Sequence, residues 1–244
     1  MKAFLLALQF LTCLPVSLKV APGPAEWGRS VLAYPLIGLL IGLLLAGLQR
    51  LLGHADPLLQ AALLTAAWAL LTGGLHLDGL ADSADAWVGG HGDRERTLAI
   101  MKDPRSGPAA VSTVMLVLLL KFAALAALLR TEAWPALVLA PVLGRSALLA
   151  LLLTTPYVRP GGMGSALATH LPRTAAVLAL LLVASAILFT EKPGWIALAT
   201  ALAAWPLLRW MMMRRLGGMT GDTLGATVEL SEAAILVSLA LGVP

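Results

Sequence analysis

Three aspartates, Asp78, Asp82 and Asp85, lie within the stretch GGLHLDGLADSADAWV at residues 73 to 88. Spacings of four and three residues place the three carboxylates within about 60° of one another on a helix. Unpaired carboxylates so close repel, and near a membrane their desolvation adds to the cost; a divalent cation bound by their oxygens relieves both. No lysine or arginine lies between residues 73 and 90 to do so instead. Magnesium is the expected ion, and a solvated helix end paired with distant arginines is the plainer alternative. A second acidic group occupies GGMTGDTLGATVELSE at residues 217 to 232. Asp222 and Glu229 share a helical face, with Glu232 about 60° from Glu229. Acids inside an otherwise apolar span call for a functional explanation, so this segment is expected to complete the ion site or hold a second ion. Its glycines, Gly217, Gly218, Gly221 and Gly225, permit close approach of a ligand or of a neighbouring helix.

Between the two acidic groups runs HGDRERTLAIMKDPRSG, with Arg94, Arg96, Lys102 and Arg105. Arg94 and Arg96 stand beside Asp93 and Glu95 and read as markers of membrane orientation, whereas Lys102 and Arg105 are candidates to grip phosphate. Cations beside acidic metal ligands form the set needed for phosphoryl transfer, in which magnesium bridges phosphate oxygens and basic side chains neutralise developing charge. Arg145 falls within an apolar run, where an unpaired charge costs a few kcal/mol, so it needs an acidic or phosphate partner. His76, two residues before Asp78, is either a proton acceptor or a hydrogen-bonded structural residue.

These groups are carried by a chain of 244 residues, 59% hydrophobic and 12% charged, against about 25% charged in an ordinary soluble domain. Mean hydropathy is +0.88. Apolar runs near the ~20 residues that cross a bilayer recur along the whole chain. They predict an all-α, polytopic membrane helix bundle, residues 1–244 forming one domain. Seven spans are expected, at about 30–53, 57–75, 107–129, 134–154, 174–190, 194–213 and 222–241. Residues 3 to 14 are too short for an eighth and predict a retained re-entrant or interfacial helix. The loops at 14–29, 76–106, 155–173 and 208–221 collect eleven of the seventeen lysines and arginines, Lys19 among them, which marks that side as cytoplasmic. The other connections, including TEAW and EKPG, are minimal turns, so the chemistry is expected on the cytoplasmic face. Basic residues scattered among loops argue against a nucleic-acid partner. A single cysteine, Cys13, excludes an internal disulfide.

GGLHLDGLADSADAW, AIMKDPRSGPAA, the Gly144-Arg145 pair and GGMTGDTLGATVELSE, in this order, resemble the motifs of the cobalamin synthase family, the adenosylcobinamide-GDP ribazoletransferases. The opening FLLALQFLTCLPV and AYPLIGLLIG extend the resemblance over essentially the whole chain. It implies a magnesium-dependent enzyme of the bacterial inner membrane. Such an enzyme joins adenosylcobinamide-GDP to alpha-ribazole, or its 5'-phosphate, and releases GMP late in vitamin B12 assembly. On this reading Asp78, Asp82 and Asp85 bind magnesium, with Asp222, Glu229 and Glu232 completing the site. Lys102, Arg105 and Arg145 hold the diphosphate, and His76, Asp82 and Lys102 are the candidate catalytic groups. The lipid bilayer is a partner throughout, and a homo-oligomer or contact with other cobalamin-assembly enzymes is compatible with such a chain. A CDP-alcohol phosphotransferase would also cluster aspartates, but its DG-x2-AR signature is broken here, where Asp78-Gly79 leads to Ala81-Asp82. An ion-coupled transporter would use intramembrane acids as relays; here the acids crowd one face.

Overall fold

The computed structural model describes residues 2–18, 21–131, 134–159 and 163–242, so Lys19 and the middle of the TEAW turn lie outside the described residues. Helix α1 spans Lys2–Leu11, α2 Pro24–Ser30, α3 Tyr34–Leu52, α4 Pro57–Leu71, α5 Leu75–Gly89 and α6 Arg94–Ile100. There follow α7 Pro108–Leu129, α8 Pro135–Thr154, α9 Met163–Thr169, α10 Arg173–Leu188, α11 Lys192–Leu216 and α12 Gly221–Leu241. Proline opens several of these helices, where its fixed φ suits the first turn and its missing N–H is not needed. Side-chain caps start others: Asp56 accepts from the Leu58 N–H, Asp93 from the Arg96 N–H and Thr220 from the Thr223 N–H.

Five segments are long and apolar enough to cross a membrane: Pro24–Leu52, α7, α8, α11 and α12. The chain is a multi-pass membrane helix bundle, but the expected seven full-length spans resolve into these five, or six if α4 and α5 are counted together. The run at 57–75 becomes α4, only 15 residues long, ending at Gly73 and Gly74 with φ of 61° and 68°. That left-handed pair, which residues with a Cβ adopt at a cost, turns the chain by 88° into α5. Thus α5, with its three aspartates, leaves the direction of the span. The run at 174–190 becomes the 16-residue α10.

Helix α8 is the centre of the bundle, packed by α3, α12, α11 and α10. The outer faces are apolar and exposed, with Met115, Leu116 and Leu119 on α7 and Leu178, Leu181 and Leu182 on α10. In lipid such faces carry no penalty, because every helical backbone group is already paired internally. The short α1 lies against α2 and α3, held by Phe10, whose ring meets Trp27 edge-on at 5.7 Å and stacks on Tyr34 at 6.4 Å.

Candidate active site

Helices α5 and α12 cross with almost no space between their backbones. A Cβ on Gly79 would stand 2.7 Å from the Asp222 carbonyl oxygen, and one on Gly225 would stand 3.2 Å from the His76 carbonyl oxygen. This contact requires glycine at 79 and leaves little room for a side chain at 225, and it brings the two acidic motifs together. Asp78 and Asp222 both line a cavity of about 430 Å³ that also takes in His76, Tyr157 and Arg159. Phe10, Leu11, Leu148, Leu152 and Leu167 supply apolar wall. Asp82, one turn beyond Asp78, is pushed up to about 6, first by burial and then by the negative charges of Asp78 and Asp222, against which Arg159 acts.

Arg159 is the site residue that sequence reasoning missed. It follows α8 in an irregular stretch that contributes little to any periodic pattern. Backbone pairing holds it in place: the Val158 N–H donates to the Met219 carbonyl at 2.9 Å, and the Met219 N–H donates to the Pro156 carbonyl at 2.8 Å. The guanidinium then reaches Asp222, Nη1 to Oδ2, at 2.9 Å.

Asp85, expected beside Asp78 and Asp82, has a structural task. Its oxygens accept the backbone N–H groups of Gly107 and, at 2.8 Å, Ala110, so it caps α7 from another helix. These N–H groups belong to the helix start and have no partner within α7. The cap also ties the end of the Lys102–Gly107 segment to α5. At the other end of that segment Met101 is buried beside Thr220, whose Oγ1 lies 3.8 Å from its sulfur. The segment is therefore anchored on both sides of Lys102. Lys102 is exposed and makes no ion pair among the described residues. Arg105 is exposed too, and its guanidinium forks onto Asp103 at 2.9 and 2.6 Å, which holds the Asp103 carboxyl down at about 2. Neither cation lines the cavity.

Glu229, Glu232 and Arg145 are withdrawn from the expected site altogether. Lys121 of α7 donates to Glu229 and to Glu232, both at 2.6 Å, and Arg145 of α8 pairs with the other oxygen of Glu232. All four side chains are at most 5% exposed. Two cations balance two anions, and the Trp68 ring covers the Lys121 ammonium at 4.8 Å. Arg145 thus finds an acidic partner rather than a phosphate. Both glutamates are thus paired with cations among the described residues, away from the cavity that Asp78 and Asp222 line. His76 is buried, lines the cavity, and its Nδ1 has no hydrogen-bond partner among the described residues.

The fit to magnesium follows from these positions. Among the described residues no three carboxylates or histidines converge into a closed metal cage. Magnesium does not need one: it keeps waters and is held by one or two carboxylates together with substrate phosphate oxygens. Asp78, Asp82 and Asp222, crowded enough to raise Asp82, fit that requirement.

A membrane-embedded helical bundle with an acidic, arginine-flanked cavity between two glycine-packed helices belongs to the class of polytopic membrane proteins suited to phosphate-bearing ligands. The sequence comparisons place it within that class. The cobalamin-5-phosphate synthase family matches residues 3–240, and the chain belongs to this family. It is 61% identical over 244 residues to an adenosylcobinamide-GDP ribazoletransferase of Pseudomonas fluorescens, covering 99% of this chain and 100% of that one. Proteins of the same name from Stutzerimonas stutzeri and Pseudomonas putida are 58% and 60% identical over 243 residues, again covering at least 99% of both chains. No solved structure matches.

Proposed function

We propose that this chain is an adenosylcobinamide-GDP ribazoletransferase of the bacterial inner membrane, with its active site at the α5–α12 cavity facing the cytoplasm. It joins adenosylcobinamide-GDP to alpha-ribazole or alpha-ribazole 5'-phosphate, releasing GMP, and so forms adenosylcobalamin or its 5'-phosphate. The observation that carries this reading is the meeting of Asp78, Asp222 and Arg159 at one cavity, with Asp82 one turn beyond Asp78, in a chain of this family.

Asp78 and Asp82, with Asp222, would hold magnesium, which when bound draws charge from the diphosphate and makes GMP a better leaving group. Arg159 trades its bond to Asp222 for a phosphate oxygen as the diphosphate arrives, which frees the Asp222 carboxylate to help hold the metal. Lys102, whose neighbour Met101 is buried beside Thr220, two residues from Asp222, adds positive charge to the transferring phosphoryl group. The acceptor 3'-hydroxyl attacks the cobinamide-side phosphorus in line, and the bond from that phosphorus to the GMP oxygen breaks. The hydroxyl proton passes to His76 Nδ1 or to a carboxylate oxygen of Asp78 that the metal leaves free, both residues lining the cavity. Leu148, Leu152 and Leu167 exclude water, which would otherwise compete with the ribazole hydroxyl.

The test is GMP release by purified, lipid-reconstituted protein given adenosylcobinamide-GDP, with alpha-ribazole and magnesium each present or omitted. Release is expected only when both are supplied. Absence of release from folded protein under every condition would overturn the assignment.

A further inference from the structure

A second cavity, of about 360 Å³, lies away from the active site between α8, α10 and α11. Its wall is almost wholly apolar, with Leu143, Ala147, Val177, Ala184, Leu198 and Trp205 among its residues. On α8 the lining runs from Leu143 to Thr154, eleven steps of the helix and hence about 16 Å along its axis. That is close to half the ~30 Å hydrocarbon thickness of a bilayer, the depth reached by one leaflet. The groove is a slot of one-leaflet length on the flank of the bundle.

Its polar end is marked by two arginines. Arg173, the first residue of α10, donates from its guanidinium to the Leu153 carbonyl, and Arg209 of α11 donates through Nε and Nη2 to the Thr154 carbonyl at 3.2 and 3.0 Å. Leu153 and Thr154 are themselves the last groove residues of α8. A guanidinium has five N–H donors, so each arginine keeps several free after these bonds. No acidic side chain pairs with either among the described residues. Both lie on the lysine- and arginine-rich side of the chain. Two uncompensated cations thus stand where the apolar slot meets the membrane surface.

We propose that this groove binds one anionic glycerophospholipid of the inner leaflet, its phosphate held between Arg173 and Arg209 and one acyl chain lying along α8 between α10 and α11. The charge pattern selects the headgroup, the length and apolarity of the slot select the chain, and the two together distinguish the site from ordinary annular lipid. Helix α10, with 16 residues of which only Ala176 and Ile187 are buried, gains a fixed neighbour in the gap between itself, α8 and α11.

Native mass spectrometry of the detergent-purified full chain, incubated with phosphatidylglycerol or with phosphatidylcholine, tests the site. The wild type should retain one phosphatidylglycerol in preference to phosphatidylcholine. An arginine near an anionic headgroup contributes about fivefold, so R173Q/R209Q should weaken phosphatidylglycerol retention by about 25-fold and leave phosphatidylcholine unchanged. A separate pair, A147W and A184W, fills the slot with both arginines intact and should abolish retention of either lipid there. Equal retention of phosphatidylglycerol by the wild type and all variants would overturn the proposal. So would a dimer in the wild type that becomes a monomer in the slot-filling variants, since that would assign the groove to a second copy of the chain. The readout is lipid mass, so its outcome does not depend on the transferase assignment.

Discussion

Substituting Lys121 with methionine leaves the buried quartet with one cation against two anions, because Lys121 bridges Glu229 and Glu232 while Arg145 serves only Glu232. An uncompensated charge at the centre of a membrane helix costs about 2.5–3.5 kcal/mol, and breaking a buried pair in proteins generally costs about 3–5 kcal/mol. Lys121→Met should therefore destabilise the protein by about 3 kcal/mol. Glu229→Gln in the same chain removes the stranded anion while keeping the shape, so Lys121→Met/Glu229→Gln should recover about half or more of that loss. A double-mutant cycle on reversible unfolding in mixed micelles gives the coupling, expected at about 1–2 kcal/mol. The double variant should also keep the wild-type magnesium dependence of GMP release, since neither residue belongs to the ion site. A single variant as stable as the wild type, additive effects in the double, or a weakened magnesium response would each refute this placement of the glutamates.

Asp85→Ala leaves two N–H groups at the start of α7 without their acceptor and should cost about 1–2 kcal/mol, with faster proteolytic cleavage of the freed 102–107 segment as the direct sign. Gly79→Ala places a methyl carbon within 2.7 Å of the Asp222 carbonyl and should force α5 from α12, abolishing GMP release while the chain still inserts into membranes. Asp82 gives a pH dependence of defined sign. Its carboxyl, raised to about 6 in the metal-free fold, holds below that pH a proton that magnesium must displace. Magnesium affinity, followed by isothermal titration, should weaken as pH falls through 6, and binding below that pH should release protons. In the absence of metal the same raised value favours the folded state below the ordinary carboxylate range, and that contribution is lost as pH rises through 6.

Much of this molecule follows from patterns that a sequence displays. Apolar runs announced the long helices, and the acids and glycines of residues 73–88 and 217–232 pointed to a meeting of two motifs about 140 residues apart, although the spacing of Asp78, Asp82 and Asp85 did not reveal that Asp85 turns to the start of α7. The number of full spans was less legible, because α4 and α10 are as apolar as the others and differ only in stopping early, α4 at a glycine pair. Helical spacing showed that Glu229 and Glu232 share a face but could not say which neighbour that face meets. The signal was nonetheless present: two basic residues, Lys121 and Arg145, lie inside apolar runs, and so do two acids. Arg159 carried no such mark, since a loop arginine reaches Asp222 only through pairing of residues 156–158 with Met219.

The central claim is that Asp82 and its neighbouring carboxylates form the magnesium-dependent transfer site. Asp82→Asn, reconstituted in lipid and assayed for GMP release from adenosylcobinamide-GDP and alpha-ribazole across a magnesium titration, tests it most directly. The account predicts loss of turnover by at least about 100-fold, as for a lost charge-stabilising group, with thermal stability at or above that of the wild type. Turnover and magnesium dependence like the wild type's would contradict it.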